Sequence, residues 1–508
     1  GAEIVLSHAS KCETDGCSRK GLSIAGKRHE YAGKLFTRRR GVLPIRIVTL
    51  YCKECHTTYR PNYIVRHASS PDAKREYYVG IPEALEVAQH TYIDKDLLIL
   101  FRAQMAFAHV SGDTVARVYN LGLTSDPTSA SLIGEMVWHA FYLHALLSHH
   151  QYQSSRLELP HNCPHSTRFD NALCERNRCM RATGQRLWAH ACDDCERVTR
   201  PPAGRDEPWT RTSACVMDGV TLGHPRCNQR YCRNTLRSPR DRFCQQHAAL
   251  QQQCAIEGCT EPASTGFRTC SLELHRAHEL ETLERGTAIY RLRRRAENAS
   301  GRRAAAPEAS KQPRRPRIRS ALTRKWTHNE QLMVRPCRII ISRATFFESE
   351  GPAETLRFVL DTFPSHLPRS RPSFLIYDNS CTLLKHIRAS RLEDLSHTAL
   401  TVDVFHANTK HSDSDEFCQE NCNPALFPEL YDDEDRRWVF NSSVCEQVNA
   451  WFGRFLPVVR EMSEVHYNFF LDEMIAIYNE YRERVLANRG KRPRLIPVDE
   501  LKLPLQVM

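Results

Sequence analysis

Residues 227–278 carry a repeated ligand pattern that leaves this stretch little choice of fold. Cys227-x4-Cys232-x11-Cys244-x2-His247 is followed by Cys254-x4-Cys259-x10-Cys270-x4-His275. Each unit offers three thiolates and one imidazole, a donor set for tetrahedral Zn²⁺. Too few residues separate the ligands to build a hydrophobic core. The metal is therefore expected to supply the folding energy. His278 competes with His275 for the last position.

The chain has 21 cysteines in 508 residues. Many fall in pairs with two or four residues between them, near histidines, which reads as zinc ligation in a reducing compartment rather than as disulfides. Cys12-x4-Cys17 and Cys52-x2-Cys55 flank the strand-like run Pro44–Tyr51 and predict a Cys₄ zinc ribbon. Cys174-x4-Cys179 with Cys192-x2-Cys195 predicts a second Cys₄ site, with Cys163, His165 and His190 nearby. Buried free thiols, packing as small hydrophobes, are the alternative there. His406-x4-His411-x6-Cys418-x3-Cys422 has ligand types at metal spacing; a hydrogen-bonded histidine pair with buried thiols is the other reading. Cys381 and Cys445 read as packing residues, and Cys337 suggests no role.

Three acids stand where a divalent cation could use them. Asp218 follows the apolar run Ala-Cys-Val-Met, and Asp378 follows Phe-Leu-Ile-Tyr. Glu446 lies in a helical stretch whose apolar stripe is Val444, Val448, Trp451 and Phe455; Glu446 falls off that stripe, with Asn449 three residues on. Hard cations take oxygen ligands, and Mg²⁺ (or Mn²⁺) pairs held ~3.5–4 Å apart drive phosphoryl transfer. Each acid alone has a plainer reading. Asp-Gly at 218 is a hairpin signal, Asp378 before Asn-Ser is a turn, and Glu446 is a solvated helical glutamate. Asp403, inside an apolar run expected to be a strand, rivals Asp378 as the second acid.

Several strings together resemble the Kyakuja–Dileera–Zisupton (KDZ) transposases. These are Asp403-Val-Phe-His-Ala-Asn-Thr-Lys-His411, Asp415 to Pro424, Asn441-Ser-Ser-Val-Cys-Glu-Gln-Val-Asn449 and Phe469-Phe-Leu-Asp-Glu-Met474. The cysteine clusters at 12–55 and 227–278 resemble the CxC5-like and CxC6-like clusters associated with that family. The resemblance implies a DDE transposase with an RNase H-like core, on which Asp218, Asp378 and Glu446 carry over as the catalytic metal-binding triad. It also implies DNA as partner, both transposon ends and target, and a homo-oligomer on paired ends.

The expected fold is mixed α/β, with strand–helix alternation over 331–485 forming the remainder of the core. Before it come a zinc ribbon at 1–70, a helical domain at 71–160, a Cys₄ cluster and core entry at 161–210, and a first core strand at 211–226. The tandem zinc insertion occupies 227–280, a helix end and basic linker 281–330, and a tail 486–508. Helices at 94–108 and from 111 onward read as a helical hairpin or a helix-turn-helix.

Charge is concentrated in the linker. Residues 291–325 hold 13 Lys and Arg against Glu297 and Glu308, almost the whole net charge of +12. Such a segment, Ala- and Pro-rich and without an apolar face, is expected to be disordered. It suits phosphate contact and nuclear import, or serves as a solvated linker. No run reaches the ~18 apolar residues of a membrane span, and Gly1-Ala-Glu does not open a signal peptide. The absence of an initial Met leaves room for an upstream segment.

Two other functions compete with a cutting and joining enzyme. One is a non-catalytic, transposase-derived zinc-rich protein that binds DNA or chromatin. The other, a zinc-dependent ubiquitin ligase, leaves the Asp and Glu strings unexplained.

Overall fold

A run apolar on both faces belongs in the middle of a sheet, and Ala214-Cys-Val-Met217 lies there, fully buried. The computed structural model describes residues 3–5, 10–24, 28–124, 131–199, 210–299, 317–391, 395–409, 411–412 and 414–503. Among them, strand Thr210–Val220 is the centre of a mixed sheet. Across that sheet the strands run Ile340–Phe346, Asn329–Val334, Thr210–Val220, Phe374–Tyr377 and Ala399–Thr401. The first two pairings are antiparallel and the last two parallel. Glu196–Thr199 pairs antiparallel with the start of Thr210–Val220.

Helices cover both faces. Pro352–Thr362 and Ser380–Ser390 bury Leu356, Val359, Leu383 and Ile387 against Met217, Met333 and Leu375. On the other face, Val444–Phe452 and Glu464–Asn488 pack Val444, Val448, Phe470 and Met474 with Val216, Leu332 and Ile376. The same apolar cluster continues into helices Lys95–Ala108, Gly112–Gly122 and Gly134–Tyr152. These helices therefore join the central sheet to a second sheet in the first 160 residues. Buried charges tie the layers. Glu473 accepts from Arg102 at 2.7 Å and from Arg176 at 2.6 Å, and Arg343 donates to Asp472 at 3.0 Å and to Glu330.

Three expectations change. A boundary near residue 70 is absent, because one sheet runs on through Lys74–Tyr77, Ala84–Ala88 and Thr91–Asp94 to Glu158–Pro160. Alternating apolar residues such as Leu85, Val87 and Ile93 bury one face of these strands, which the helical reading of 71–160 overlooked. The run at 400–405 is not one strand. It ends at Thr401, and Val404–Thr409 is helical because Asp403 accepts hydrogen bonds from the amides of Phe405 and His406, as an N-cap does.

The basic segment is ordered at both ends. Ala288–Ala299 is a helix, while Ile318 bridges Ile256 and Ser320 bridges Gln229 in the zinc units. Residues 300–316 lie outside the described residues. The C-terminal tail, for which no structure was expected either way, docks on the core. Arg494–Leu495 pairs with His190–Ala191, and Ile496 and Leu501 are buried.

Candidate metal centre

The sheet register brings the acids together. Met217 pairs with Tyr377 on parallel strands, so one residue further on Asp218 stands beside Asp378. Neighbouring strands lie ~4.8 Å apart. Ile376 pairs with Thr401, and continuing that register sets Asp403 on the far side of Asp378. Glu446 comes from the first turn of Val444–Phe452, which is anchored to the central strand by Cys445 Sγ donating to Val216 O at 3.1 Å. Asp218, Asp378, Asp403, His406 and Glu446 all line one cavity.

Hydrogen bonds hold Asp403 and Asp218 in place. Asp403 is buried and committed. Its Oδ2 accepts from the helix amides, and its Oδ1 accepts from Ser443 Oγ at 3.1 Å. Asp218 accepts from Gly219 N at 2.7 Å and from Asn449 Nδ2 at 2.9 Å. Burial first, and then the charge of Asp378, pushes the Asp218 carboxyl up to about 7. A divalent cation reverses that preference for the protonated form. Glu446 is the most exposed of the set, with a side chain 45% accessible.

His406 falls in this cluster and not in the zinc set expected for it. Its Nδ1 is 2.5 Å from Asp378 Oδ1 and 3.5 Å from Asp403 Oδ2; its Nε2 is 3.3 Å from Glu446 Oε1. The helix begun by Asp403 turns the ring inward, whereas an extended chain at 403–406 carries no such constraint. His411 goes the other way, to Cys418 at 3.2 Å and Cys381 at 3.8 Å. Cys422 is fully buried beside them and interacts with the Cys381 thiol. Cys381 thus takes the place expected of His406.

All 21 cysteines are free thiols, and most gather in metal-sized sets. Two Zn–S bonds of ~2.3 Å at the tetrahedral angle place sulfurs about 3.8 Å apart. Cys12 and Cys55 are 3.7 Å apart and Cys17 and Cys52 3.9 Å, within one four-thiol set. Cys227, Cys232, Cys244 and His247 form another, with Cys232–Cys244 at 3.8 Å. Cys254, Cys259, Cys270 and His275 form a third, with Cys259–Cys270 at 3.8 Å. His275, not His278, completes it. These donor sets fit structural zinc.

The expected Cys₄ site at 174–195 does not form. Cys192 and Cys195 converge with His190 and Cys337, all four buried. Cys174 and Cys179 lie on helix Asp170–Cys179, outside this set. The turn between strands Asn329–Val334 and Ile340–Phe346 carries Cys337 to His190 Nε2, at 3.4 Å. His190 was visible beside the Cys-x2-Cys pair, but nothing local marks Cys337, 142 residues past Cys195 in the sequence.

Comparison with known families agrees with the cysteine chemistry. Residues 1–123 match the CxC5-like cysteine cluster associated with KDZ transposases, and residues 216–281 match the CxC6-like cluster associated with KDZ transposases. The second match begins at Val216 and includes Asp218. No curated protein and no solved structure matches the chain.

Proposed function

Because this chain carries the cysteine clusters associated with KDZ transposases, we propose that it is a DDE-type transposase that cuts and joins DNA strands. The observation that carries this reading is the meeting of Asp218, Asp378 and Glu446, from three separate stretches of chain, around one cavity. The sheet, three antiparallel strands followed by two parallel ones with acids at the parallel ends, supports an RNase H-like core.

In this reading the three carboxylates would hold Mg²⁺ or Mn²⁺, which would supply activation of a water or a 3′-hydroxyl and stabilisation of the leaving oxygen of the phosphodiester. The chain's own groups set the geometry. Asn449 fixes one oxygen of Asp218, and Tyr377 OH holds Glu350 beside the site at 2.6 Å. His406 stands between Asp378 and Glu446, and Ser443 keeps Asp403 in its capping role. DNA is the substrate and the nucleus the compartment, in keeping with the basic residues of 291–325. A homo-oligomer on paired ends follows from the same family reading.

The test is Asp378→Asn in a strand-cleavage and strand-joining assay with Mg²⁺ or Mn²⁺. Cleavage is expected to vanish while DNA binding stays within about twofold. Parallel loss of both activities sinks the catalytic assignment. Cleavage without joining reduces the protein to a nuclease. Absence of cleavage in the unsubstituted chain favours a zinc-rich DNA- or chromatin-binding protein.

A further inference from the structure

A groove of about 1050 Å³ runs from the zinc-type cluster at Cys337 to the acid cavity. Ser442 and Ser443 line both, so the groove adjoins the acid cavity. Its lining includes Arg338 from the turn at Cys337, Arg482 and Arg489 from the end of the long helix, and the rings of Phe405, next to His406, and Trp438.

The charges of this groove are one-sided. Each carboxylate along it already has a cationic partner: Asp193 has Arg492 at 2.7 Å, Asp194 has Lys491 at 2.9 Å, Asp432 has Arg197 at 3.0 Å and Glu196 has Arg494 at 2.8 Å. Arg338, Arg482 and Arg489 make no ion pair with a carboxylate among the described residues. Arg338 donates to Gln447 Oε1 at 2.6 Å and Arg482 to Cys337 O at 3.1 Å, both neutral acceptors. Arg338 also sits at φ +76°, where an L-residue is strained and glycine is at ease. The guanidinium occupies a backbone position that conformation alone would give to glycine.

The aromatic groups point to the state of the ligand. Phe405 is 56% exposed and Trp438 36% exposed, both large rings on the groove's edge. Cationic forks with exposed rings are the elements that hold an unpaired strand, phosphates on arginine and bases stacked on aromatic faces. A paired base has its faces covered by its neighbours in the duplex.

We infer that this groove holds an unpaired nucleic-acid strand, its backbone along Arg338, Arg482 and Arg489, its end directed into the acid cavity. The inference rests on the proposed function for the meaning of that end. The binding itself does not need cleavage.

The experiment is fluorescence anisotropy on the full chain in EDTA, with a labelled oligothymidylate of about 15 nucleotides and a hairpin duplex as probes. The double variant Arg338→Gly, Arg489→Ala alters one turn that accepts glycine and one exposed side chain. It is expected to weaken oligothymidylate binding at least tenfold, and to lower the slope of log affinity against log salt by about 1.4, ~0.7 per lost phosphate contact on a single strand. Duplex affinity is expected to change less than about twofold. Phe405→Ala should weaken the unpaired probe while leaving the salt slope intact. Unchanged affinity and slope overturn the groove, as does equal loss on both probes. These results stand apart from the catalytic test. A protein that binds the unpaired probe through these arginines yet never cuts DNA keeps the groove and loses the transposase reading. One that cuts while the variants bind normally loses only the groove.

Discussion

The Nδ1 of His406 lies 2.5 Å from Asp378 Oδ1, and the opposite nitrogen of the same ring lies 3.3 Å from Glu446 Oε1. One buried imidazole therefore spans the second and third acids of the candidate centre. Its position follows from the helix that Asp403 caps.

Removing this ring should loosen the acids without unfolding the chain. His406→Ala is expected to weaken Mn²⁺ binding about 10–100-fold, the usual cost of losing a group that orients ligands. Mn²⁺ titration followed by electron paramagnetic resonance measures it. Unaltered affinity removes His406 from any positioning role.

Cation binding should be linked to protons through Asp218. Its folded pKa is raised to about 7 from 3.8, so the folded, metal-free protein holds more protons than the unfolded chain between those values. Its stability contribution therefore declines as pH rises from about 4 to 7 and is flat above. Cation binding expels the proton, so affinity should rise as pH climbs towards 7 and level off above it. Calorimetric titration in buffers of different ionisation enthalpy reads the released proton. Asp218→Asn should abolish that release.

Zinc content distinguishes the two pairings of Cys192 and Cys195. Cys337→Ser should lower the zinc count by about one per chain and destabilise the protein, since site occupancy is folding free energy. Replacing both Cys174 and Cys179 with Ser should leave the count unchanged. Native mass spectrometry of the intact chain measures both, and the reverse result restores the Cys₄ set.

Glu473 should prove costly to lose. It is buried between Arg102 and Arg176, which come from two separate helices. Glu473→Ala leaves two cations without their partner, and breaking such a buried pair costs about 3–5 kcal/mol. Urea unfolding should show that loss, with Asp218, Asp378 and Glu446 untouched. A change below about 1 kcal/mol would mean that water reaches these arginines.

Much of the centre was legible in the chain. The apolar runs ending in Asp218 and Asp378 are buried strands, and the stripe at Val444, Val448 and Phe455 packs inward while Glu446 stays off it. The string Phe469–Met474 has a physical basis too, since Asp472 and Glu473 anchor the long helix to Arg343, Arg102 and Arg176. Less visible was the break after Thr401. An N-capping aspartate inside an apolar run looks like a strand residue until its partners are known.

The amino-acid order alone determined those parts whose partners are close in the chain. The Cys₃His units at 227–247 and 254–275 close within some twenty residues, so spacing and donor type suffice. Tertiary structure alone decided the partners far apart in sequence. Cys337 reaches His190 because a turn between two antiparallel strands returns beside strand Glu196–Thr199, and His406 leaves His411 because a helix turns between them. Those contacts depend on sheet register and helix phase, which sum interactions over the whole core and leave no mark in any single stretch of sequence.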